Sequence, residues 1–182
     1  HISSCFPRKG IDVLLRAYGA AFRAADDVSL IIKTFPNAHN TVLEQLQTFQ
    51  QEDAEFPHVL IINEDWDDQR IVALYQFAGA FVAPSRGEGF GLPMAEAMLF
   101  NLPVITTAWG GQTDFCDEST AWCCDYTFQK AQTHMQLTHS LWAEPDMHDL
   151  AQLLRQVRDL DDAKRLKKTV IAKQRILENF TW

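Results

Sequence analysis

Long apolar runs are missing from this sequence. No stretch approaches the roughly 18 apolar residues that a membrane-spanning helix needs, and the chain does not begin with the pattern of a signal peptide. With 182 residues, 47% of them apolar and 22% charged, the composition is that of a globular domain with a sizeable core. We therefore expect a single domain over residues 1–182, without a transmembrane segment and located in the cytoplasm.

Positive charge is also scarce, because 16 Lys and Arg residues stand against 24 Asp and Glu residues. The net charge of −8 argues against nonspecific binding to nucleic acid or to anionic lipid. We expect no nucleic-acid partner. Arg8 and Lys9 nevertheless form a local basic pair that could contact a phosphate group.

The sequence offers little that would hold a metal ion. Its four cysteines are Cys5, Cys116, Cys123 and Cys124, and none of them form the Cys-x-x-Cys pair of a zinc site. We also find no Asp-x-Asp element with a supporting histidine. We predict no metal and no cofactor, and free thiols in a reducing compartment.

Short apolar stretches alternate with segments of helical period through most of the chain. This alternation predicts an α/β fold, in which a parallel sheet carries helices on both faces. In such sheets ligands bind beyond the carboxyl ends of the strands, where the loops gather. Four loops are expected at that edge, at Arg8-Lys9, Asn63-Glu64, Glu88 and Trp109-Gly110. The expected strands lie at 29–35, 59–62, 80–83, 104–107 and 121–124, the last of them closing the sheet.

The final third of the chain departs from this rhythm. Residues 125–145 are rich in Gln, Thr and His and show no clear period, which indicates an irregular excursion over the surface. Asp146 is predicted to cap a helix that ends near Val157, and a charged C-terminal helix is expected over 161–182.

The central motif is Pro84–Asn101, in which a buried strand end, a glycine-rich loop and an apolar helix follow one another. The free N–H groups of a first helical turn and the positive end of the helix dipole form a site for an anion. Glycines allow the backbone to approach such a ligand closely. Pro93 fits the first turn, because an N–H group is not needed there.

Glu96 stands on this helix among apolar neighbours, where a carboxylate is costly to bury without a partner. A ligand with vicinal hydroxyls, such as a nucleotide ribose, would provide that partner. The alternative is that Glu96 caps a neighbouring backbone segment.

Three stretches together resemble a known family. Glu88-Gly-Phe-Gly-Leu-Pro-Met-Ala-Glu96 resembles the E-x7-E signature of retaining GT-B glycosyltransferases, which use nucleotide-sugar donors. Asn101–Thr107 with Trp109–Asp114, and the opening Arg8–Tyr18, match the same family in order, so that the resemblance covers almost the whole chain. It implies a Rossmann-like, doubly wound C-terminal half of a GT-B fold. The N-terminal half, which holds the acceptor, is not part of this sequence.

The resemblance also implies roles for residues of the loops. Lys9 would place its charge on the diphosphate leaving group, as the corresponding lysine does in the family together with an arginine several residues earlier. Ile2–Phe6 offers no such arginine, and Arg8 is the candidate to replace it. Glu88 would position the donor sugar near the reacting centre, without being assigned as a nucleophile.

The remaining donor contacts are expected along the start of the helix. The region of Phe90 and Gly91 would supply backbone N–H groups to sugar or phosphate, and the N–H groups of Gly91 and Leu92 would meet the distal phosphate. Glu96 would bind the ribose hydroxyls. For the tryptophans Trp109, Trp122 and Trp142, stacking on a sugar or base is possible in principle, but packing is the expected role.

By this resemblance we expect metal-independent hexosyl transfer, with retained configuration, from a nucleotide-diphosphate sugar to a glycan or lipid-linked acceptor. The expected setting is synthesis of cell-envelope polysaccharide or lipopolysaccharide in a bacterium. Attachment to the inner membrane would be peripheral and would use the absent N-terminal domain. The isolated domain is expected to bind donor weakly and to transfer little. The alternative, favoured by the missing arginine, is a donor-binding or scaffolding domain without activity.

Overall fold

The structure, a computed structural model, describes residues 1–133 and 139–180. Within these residues strands and helices alternate up to the fifth strand, as the sequence pattern predicts. The strands are β1 (Leu30–Thr34), β2 (Val59–Asn63), β3 (Phe81–Ala83), β4 (Val104–Thr107), β5 (Trp122–Cys124), β6 (Tyr126–Lys130) and β7 (Leu141–Pro145). The α-helices are α1 (Ile11–Ala21), α2 (Val42–Glu52), α3 (Asp68–Phe77), α4 (Leu92–Leu99), α5 (Met147–Arg158) and α6 (Asp162–Asn179).

The parallel strands form two groups that flank the beginning of the chain. β1 pairs with β2, and β4 pairs with β3 on one side and β5 on the other, all in parallel. Ile2 forms a parallel bridge with Lys33 of β1. On its other side, Nδ1 of His1 lies 2.8 Å from the carbonyl oxygen of Val82 in β3. The first residues therefore lie between the two groups, and the parallel α/β arrangement is confirmed.

Helices cover both faces of this sheet, because successive residues of a buried strand point to opposite sides. On β4, Ile105 belongs to a core that α1, α2 and α5 share, with Leu14 and Leu150 fully buried in it. Val104, the residue before it, belongs to a second core under α4 and α6, which contains Met98. The doubly wound, Rossmann-like arrangement follows from these two cores.

Aspartate side chains cap three of the helices, and one of them, Asp146, is at the predicted position. Asp67 accepts a hydrogen bond from the N–H group of Arg70 at the start of α3. Asp146 does the same for α5 and Asp161 for α6. Such caps satisfy N–H groups that have no partner within the helix. The helix expected over 161–182 is described up to Asn179 as α6, and residues 181–182 lie outside the described residues.

The prediction of an irregular excursion over 125–145 is wrong. β6 and β7 pair in antiparallel fashion, with Tyr126 opposite Pro145 and Lys130 opposite Leu141. β5 is consequently not the last strand. In an antiparallel strand at a surface, only every second side chain needs to be apolar. β6 therefore has no continuous apolar stretch, and most of its residues are exposed. Residues 134–138, which belong to the same predicted excursion, lie outside the described residues.

In the part of the chain that the structure describes, no helix is both long and apolar enough to cross a membrane.

Candidate functional site

Three side chains converge on Glu88 at the carboxyl ends of the central strands. Nζ of Lys9 lies 2.6 Å from Oε1 of Glu88, and the Ser85 hydroxyl donates to the same oxygen at 2.7 Å. Nη1 of Arg8 lies 3.6 Å from Oε2 and also donates to the Gly87 carbonyl at 3.0 Å. The Glu88 side chain is only 9% exposed. The structure therefore brings together the predicted residues Arg8, Lys9 and Glu88.

The segment that carries Arg8 and Lys9 is held against the loop after β3 by backbone contacts. A short 3₁₀ turn over Pro7–Lys9 leads into α1 through Gly10, whose φ of 69° is in the left-handed region. A Cβ atom on Gly10 would lie 2.0 Å from the carbonyl oxygen of Pro84. Only glycine permits this approach. This close approach of the two backbones fixes the position of Lys9 relative to the loop after β3.

The loop after β3 ends at the N-terminus of α4. Gly91 adopts φ 92° and precedes the first turn, in which Pro93 takes the expected place. Pro93 has no N–H group, and the N–H groups of Met94 and Ala95 donate to the Gly91 carbonyl oxygen at 2.9 and 3.2 Å. This leaves the N–H groups of Gly91 and Leu92 for an anion. Leu92, at the first position of α4, is 53% exposed, so this end of the helix faces outwards. Phe90 packs its ring against Phe115 and Phe180, at centroid distances of 5.1 and 5.7 Å.

Glu96 lies apart from this cluster and forms a pair with Tyr75 of α3. The Tyr75 hydroxyl donates to Oε2 of Glu96 at 2.9 Å, with the Pro93 carbonyl oxygen 3.2 Å away. Burial raises the pKa of Tyr75, and the adjacent Glu96 carboxylate raises it further. The observed partner of Glu96 is thus a side chain, where the alternative interpretation expected a backbone segment. Because the bond uses one oxygen, half-buried Glu96 keeps a second oxygen for another partner.

A second loop, after β4, packs directly on the Glu88 loop. The Gly111 N–H group donates to the carbonyl oxygen of Glu88 at 2.9 Å. Gln112 is fully buried and donates to the carbonyl oxygens of Thr107 and Trp109 at 3.0 and 2.9 Å, which fixes the glycine turn. Of the four loops expected at one edge, these contacts join three, those of Arg8-Lys9, Glu88 and Trp109-Gly110, whereas the Glu64 carbonyl oxygen accepts a hydrogen bond from Lys33 of β1.

The open side of the Glu88 cluster faces outwards. Beneath Lys9, Ser85 and Glu88 the void measures about 10 Å³, room for no more than a water molecule. A cavity of about 440 Å³ lies at the opposite ends of the strands, between the starts of β1 and β3. The exposed groups beside the cluster are the side chains of Arg8 and of Leu92 at the start of α4, so a ligand would reach Glu88 from that side.

Residues 1–136 match the family model of the glycosyl transferases group 1. This is three quarters of the chain, and it includes both loops and α4. The chain belongs to this family.

The group 1 domain is also similar to individual proteins. It is 33% identical over 95 residues to the serotype-specific mannosyltransferase WbdA of Escherichia coli, which is 50% of this chain and 11% of that protein. The C-terminal domain of the group 1 protein LpcC from Francisella tularensis has the same fold, with a TM-score of 0.74 and 16% identity, over 96% of this chain and 81% of that one. Anabaena HepE in complex with UDP-glucose gives a TM-score of 0.71 at 18% identity, over 97% of this chain and 42% of HepE. The fold is thus the C-terminal half of a GT-B enzyme, and the chain spans only a small part of WbdA and less than half of HepE.

The sequence analysis missed Arg86, the buried residue that ties the site loop of the group 1 domain to its surroundings. Its guanidinium forms two hydrogen bonds with Asp12 of α1, at 2.8 and 2.7 Å, and two with Glu144 of β7, both at 2.6 Å. It also lies 4.6 Å from the ring centroid of Trp142. The signal available in the sequence was an arginine inside the glycine-rich loop, but its partners are 58 and 74 residues away.

These contacts determine the direction in which the pKa values of Asp12 and Arg86 shift. Burial by itself would raise the pKa of Asp12, but the hydrogen bonds and the charge of Arg86 outweigh burial and leave the pKa below its usual value. Burial would lower the pKa of Arg86, and Asp12 and Glu144 raise it above the ordinary value instead. Asp12 and Arg86 are therefore charged at neutral pH, and the ion pairs of Arg86 with Asp12 and Glu144 hold the loop.

Replacing Gly111 with alanine is expected to separate the two site loops. The new Cβ atom would lie 1.8 Å from the carbonyl oxygen of Gly89, a backbone atom that cannot move alone. We expect a loss of about 2 kcal/mol in the free energy of unfolding, as for other overpacked sites, measured by urea denaturation. Gly79→Ala is the control, because a Cβ atom there meets nothing within 4 Å. Equal stability of the two variants would contradict the close packing of these loops.

Proposed function

We propose that this domain binds a nucleotide-diphosphate sugar and, within a longer protein, transfers the sugar with retained configuration to a glycan or lipid-linked acceptor. The observation that carries the proposal is the meeting of Lys9, Arg8 and the N-terminus of α4 around Glu88. Two cationic side chains and a helix N-terminus form a site for a diphosphate. Family membership and the UDP-glucose complex of HepE support the same ligand class.

The chemistry needs charge stabilisation at the leaving group. As the bond between sugar and diphosphate breaks, negative charge accumulates on the phosphate oxygens. Lys9 and the first-turn N–H groups of α4 would stabilise that charge without reorganising. Glu88 is oriented by Lys9 and Ser85, and would accept hydrogen bonds from hydroxyls of the donor sugar. Gly91 and Leu92 would contact the distal phosphate through their backbone.

We propose that the transfer needs no metal ion. The support is the presence of Lys9, Arg8 and the α4 N-terminus, which supply the positive charge that a divalent cation would otherwise supply to the diphosphate. Activity of the longer protein that survives a chelator is the expected result. A loss of activity that Mg²⁺ or Mn²⁺ restores would contradict this part of the proposal.

Glu96 is proposed to bind the ribose of the nucleotide, with Tyr75 as its positioning residue. The Tyr75 hydroxyl holds one carboxylate oxygen, and vicinal ribose hydroxyls would donate to the other. We expect Glu96→Gln to weaken nucleotide binding about tenfold, the loss of a charge-assisted hydrogen bond. Calorimetry with UDP and GDP measures the affinity, and exposed Glu52→Gln in α2 is the control. Unchanged affinity in Glu96→Gln would contradict the ribose assignment.

The donor is proposed to be a hexose activated by a nucleotide. Similarity to a mannosyltransferase and to a protein that binds UDP-glucose supports this class. The serotype-specific relative from E. coli supports a role in bacterial cell-envelope polysaccharide or lipopolysaccharide synthesis. We place the protein in the cytoplasm, attached peripherally to the inner membrane through a further domain. Thermal shift with UDP-, GDP- and ADP-sugars tests the donor, because a ligand of the folded state raises the melting temperature.

The second candidate is a domain that binds donor but supports no transfer. The lack of an arginine in Ile2–Phe6 favours it. Against it, Nη1 of Arg8 reaches Glu88, so a second cation stands at the site from another position. The longer protein, incubated with donor and acceptor, separates the two candidates. Formation of a glycoside whose anomeric configuration equals that of the donor supports the first, and donor binding without product supports the second.

A further inference from the structure

An exposed row of apolar side chains extends from the Glu88 region along the β6–β7 hairpin. We call Trp109, Tyr126, Phe128 and Leu141 the aromatic strip. The Trp109 ring lies 5.8 Å from Tyr126 and 4.9 Å from Phe128, the latter nearly perpendicular at 88°. Trp109, Phe128 and Leu141 are 45%, 53% and 62% exposed. These ring contacts agree with the expected role of Trp109 in packing, and they leave a large part of the strip exposed.

The strand geometry places these side chains on one face. Tyr126 and Phe128 are two residues apart on β6 and therefore point to the same side. Leu141 is opposite Lys130, which shares that side. The residue opposite Phe128 is Ala143, which is fully buried, so these two side chains share one face of the hairpin.

The strip is continuous with the candidate donor site. Trp109 directly precedes the glycine turn whose Gly111 N–H group donates to the carbonyl oxygen of Glu88. The hairpin itself is joined to the same loop, since the Ala143 N–H group donates to the carbonyl oxygen of Arg86 at 3.1 Å. One end of the strip thus lies beside the residue that is proposed to position the donor sugar.

We propose that the aromatic strip binds pyranose rings of the acceptor glycan. This inference rests on the proposed function, because it adds an acceptor subsite to that reaction. Aromatic faces carry partial negative charge, and the C–H groups on one side of a pyranose carry partial positive charge, so the two stack while the hydroxyls remain hydrated. The ring centroids of Tyr126 and Phe128 lie 5.3 Å apart at an interplanar angle of 75°, so together with Trp109 they form one aromatic cluster beside the site. Lys130, further along the same face, supplies N–H donors to the sugar hydroxyls.

A titration of the labelled chain, followed by amide and indole NMR signals, tests the inference. The probes are a mannose trisaccharide and a glucose trisaccharide, each added to the wild type, to Phe128→Ala and to Phe77→Ala. Phe77 is the matched control, because it is 80% exposed and follows α3 towards the start of β3, at the opposite edge of the sheet. We expect at least one trisaccharide to bind with millimolar affinity and to shift the signals of Trp109 and β6. Phe128→Ala should weaken this binding about tenfold, and Phe77→Ala should not change it.

Three results would overturn the inference. In the first, neither trisaccharide shifts the NMR signals of the strip. In the second, the Phe128→Ala and Phe77→Ala variants bind the trisaccharide with equal affinity. In the third, the NMR signals of the strip depend on protein concentration, and the Phe128→Ala substitution dissociates oligomers of the chain. This result would identify the strip as a protein contact. UDP and GDP titrations of the same samples separate this outcome from the proposed function. Nucleotide binding without trisaccharide binding refutes only the strip, whereas trisaccharide binding without nucleotide binding refutes the donor site.

Discussion

Replacing Lys9 with methionine is expected to reduce sugar transfer by the longer protein about a hundredfold, the typical effect of removing one preorganised group at a developing charge. The same change should weaken binding of UDP and GDP to this domain. Lys9 is 12% exposed and its ammonium lies 2.6 Å from Glu88, so its charge is held at the site before any ligand binds. Methionine retains the aliphatic stem and removes only the charge. Calorimetry and a transfer assay measure the two effects.

Loss of Lys9 also leaves Glu88 without its nearest cation, and this structural cost must be separated from the loss of donor binding. The double variant Lys9→Met/Glu88→Gln removes the unpaired carboxylate. We expect it to recover the stability that Lys9→Met loses, while the nucleotide affinity stays low. Lys167→Met, on exposed α6, controls for the change in net charge. If Lys9→Met binds nucleotide as the wild type does, Lys9 does not contact the diphosphate.

Replacing Arg86 with methionine is expected to lower the free energy of unfolding by about 4 kcal/mol, because it leaves two carboxylates of a largely buried network without their cation. The Arg86 side chain is 6% exposed. Urea denaturation at neutral pH gives the value. Arg23→Met is the matched control, since Arg23 forms an ion pair of similar length with Asp53, at 2.8 Å, but is 61% exposed. Such a surface pair contributes about 0.5 kcal/mol.

The pH dependence of stability provides a second measurement on the same variant. The pKa of Asp12 is lower in the folded protein than its usual value of 3.8. Its contribution to stability is therefore complete above that value and is lost as the pH falls through the lower, folded pKa. In Arg86→Met the carboxylate gains nothing from folding, so this acid-side loss should disappear. A parallel acid decline in the wild type and in Arg86→Met would contradict the role of the network.

The meeting of Lys9 and Glu88 could be predicted from the sequence for a physical reason. Glu88 follows β3, and Lys9 follows Ile2, which forms a parallel bridge with β1. Parallel segments of this kind bring their carboxyl ends to one edge of the sheet. Once the alternation of strands and helices is recognised, the two loops are neighbours whatever the side-chain details. The same rule predicted the contact between the Glu88 loop and Gly111.

Arg86, Tyr75 and Gln112 could not be predicted in this way. Their partners depend on where α1, α4 and β7 lie in space, and no local period or spacing encodes that. Glu96 illustrates the difference, because the sequence indicates that it needs a partner but not that Tyr75 provides one. The hairpin was missed for a related reason: its strands lack the continuous apolar stretches by which the buried strands are recognised.

The bonds of Arg86 to the hairpin determine how the hairpin and the Glu88 loop move relative to each other. Glu144 and the Ala143 N–H group attach β7 to the loop that also carries Glu88. The Glu88 loop and the hairpin are therefore held together as one rigid unit. A sugar bound on the hairpin, as proposed, would keep a fixed position relative to Glu88.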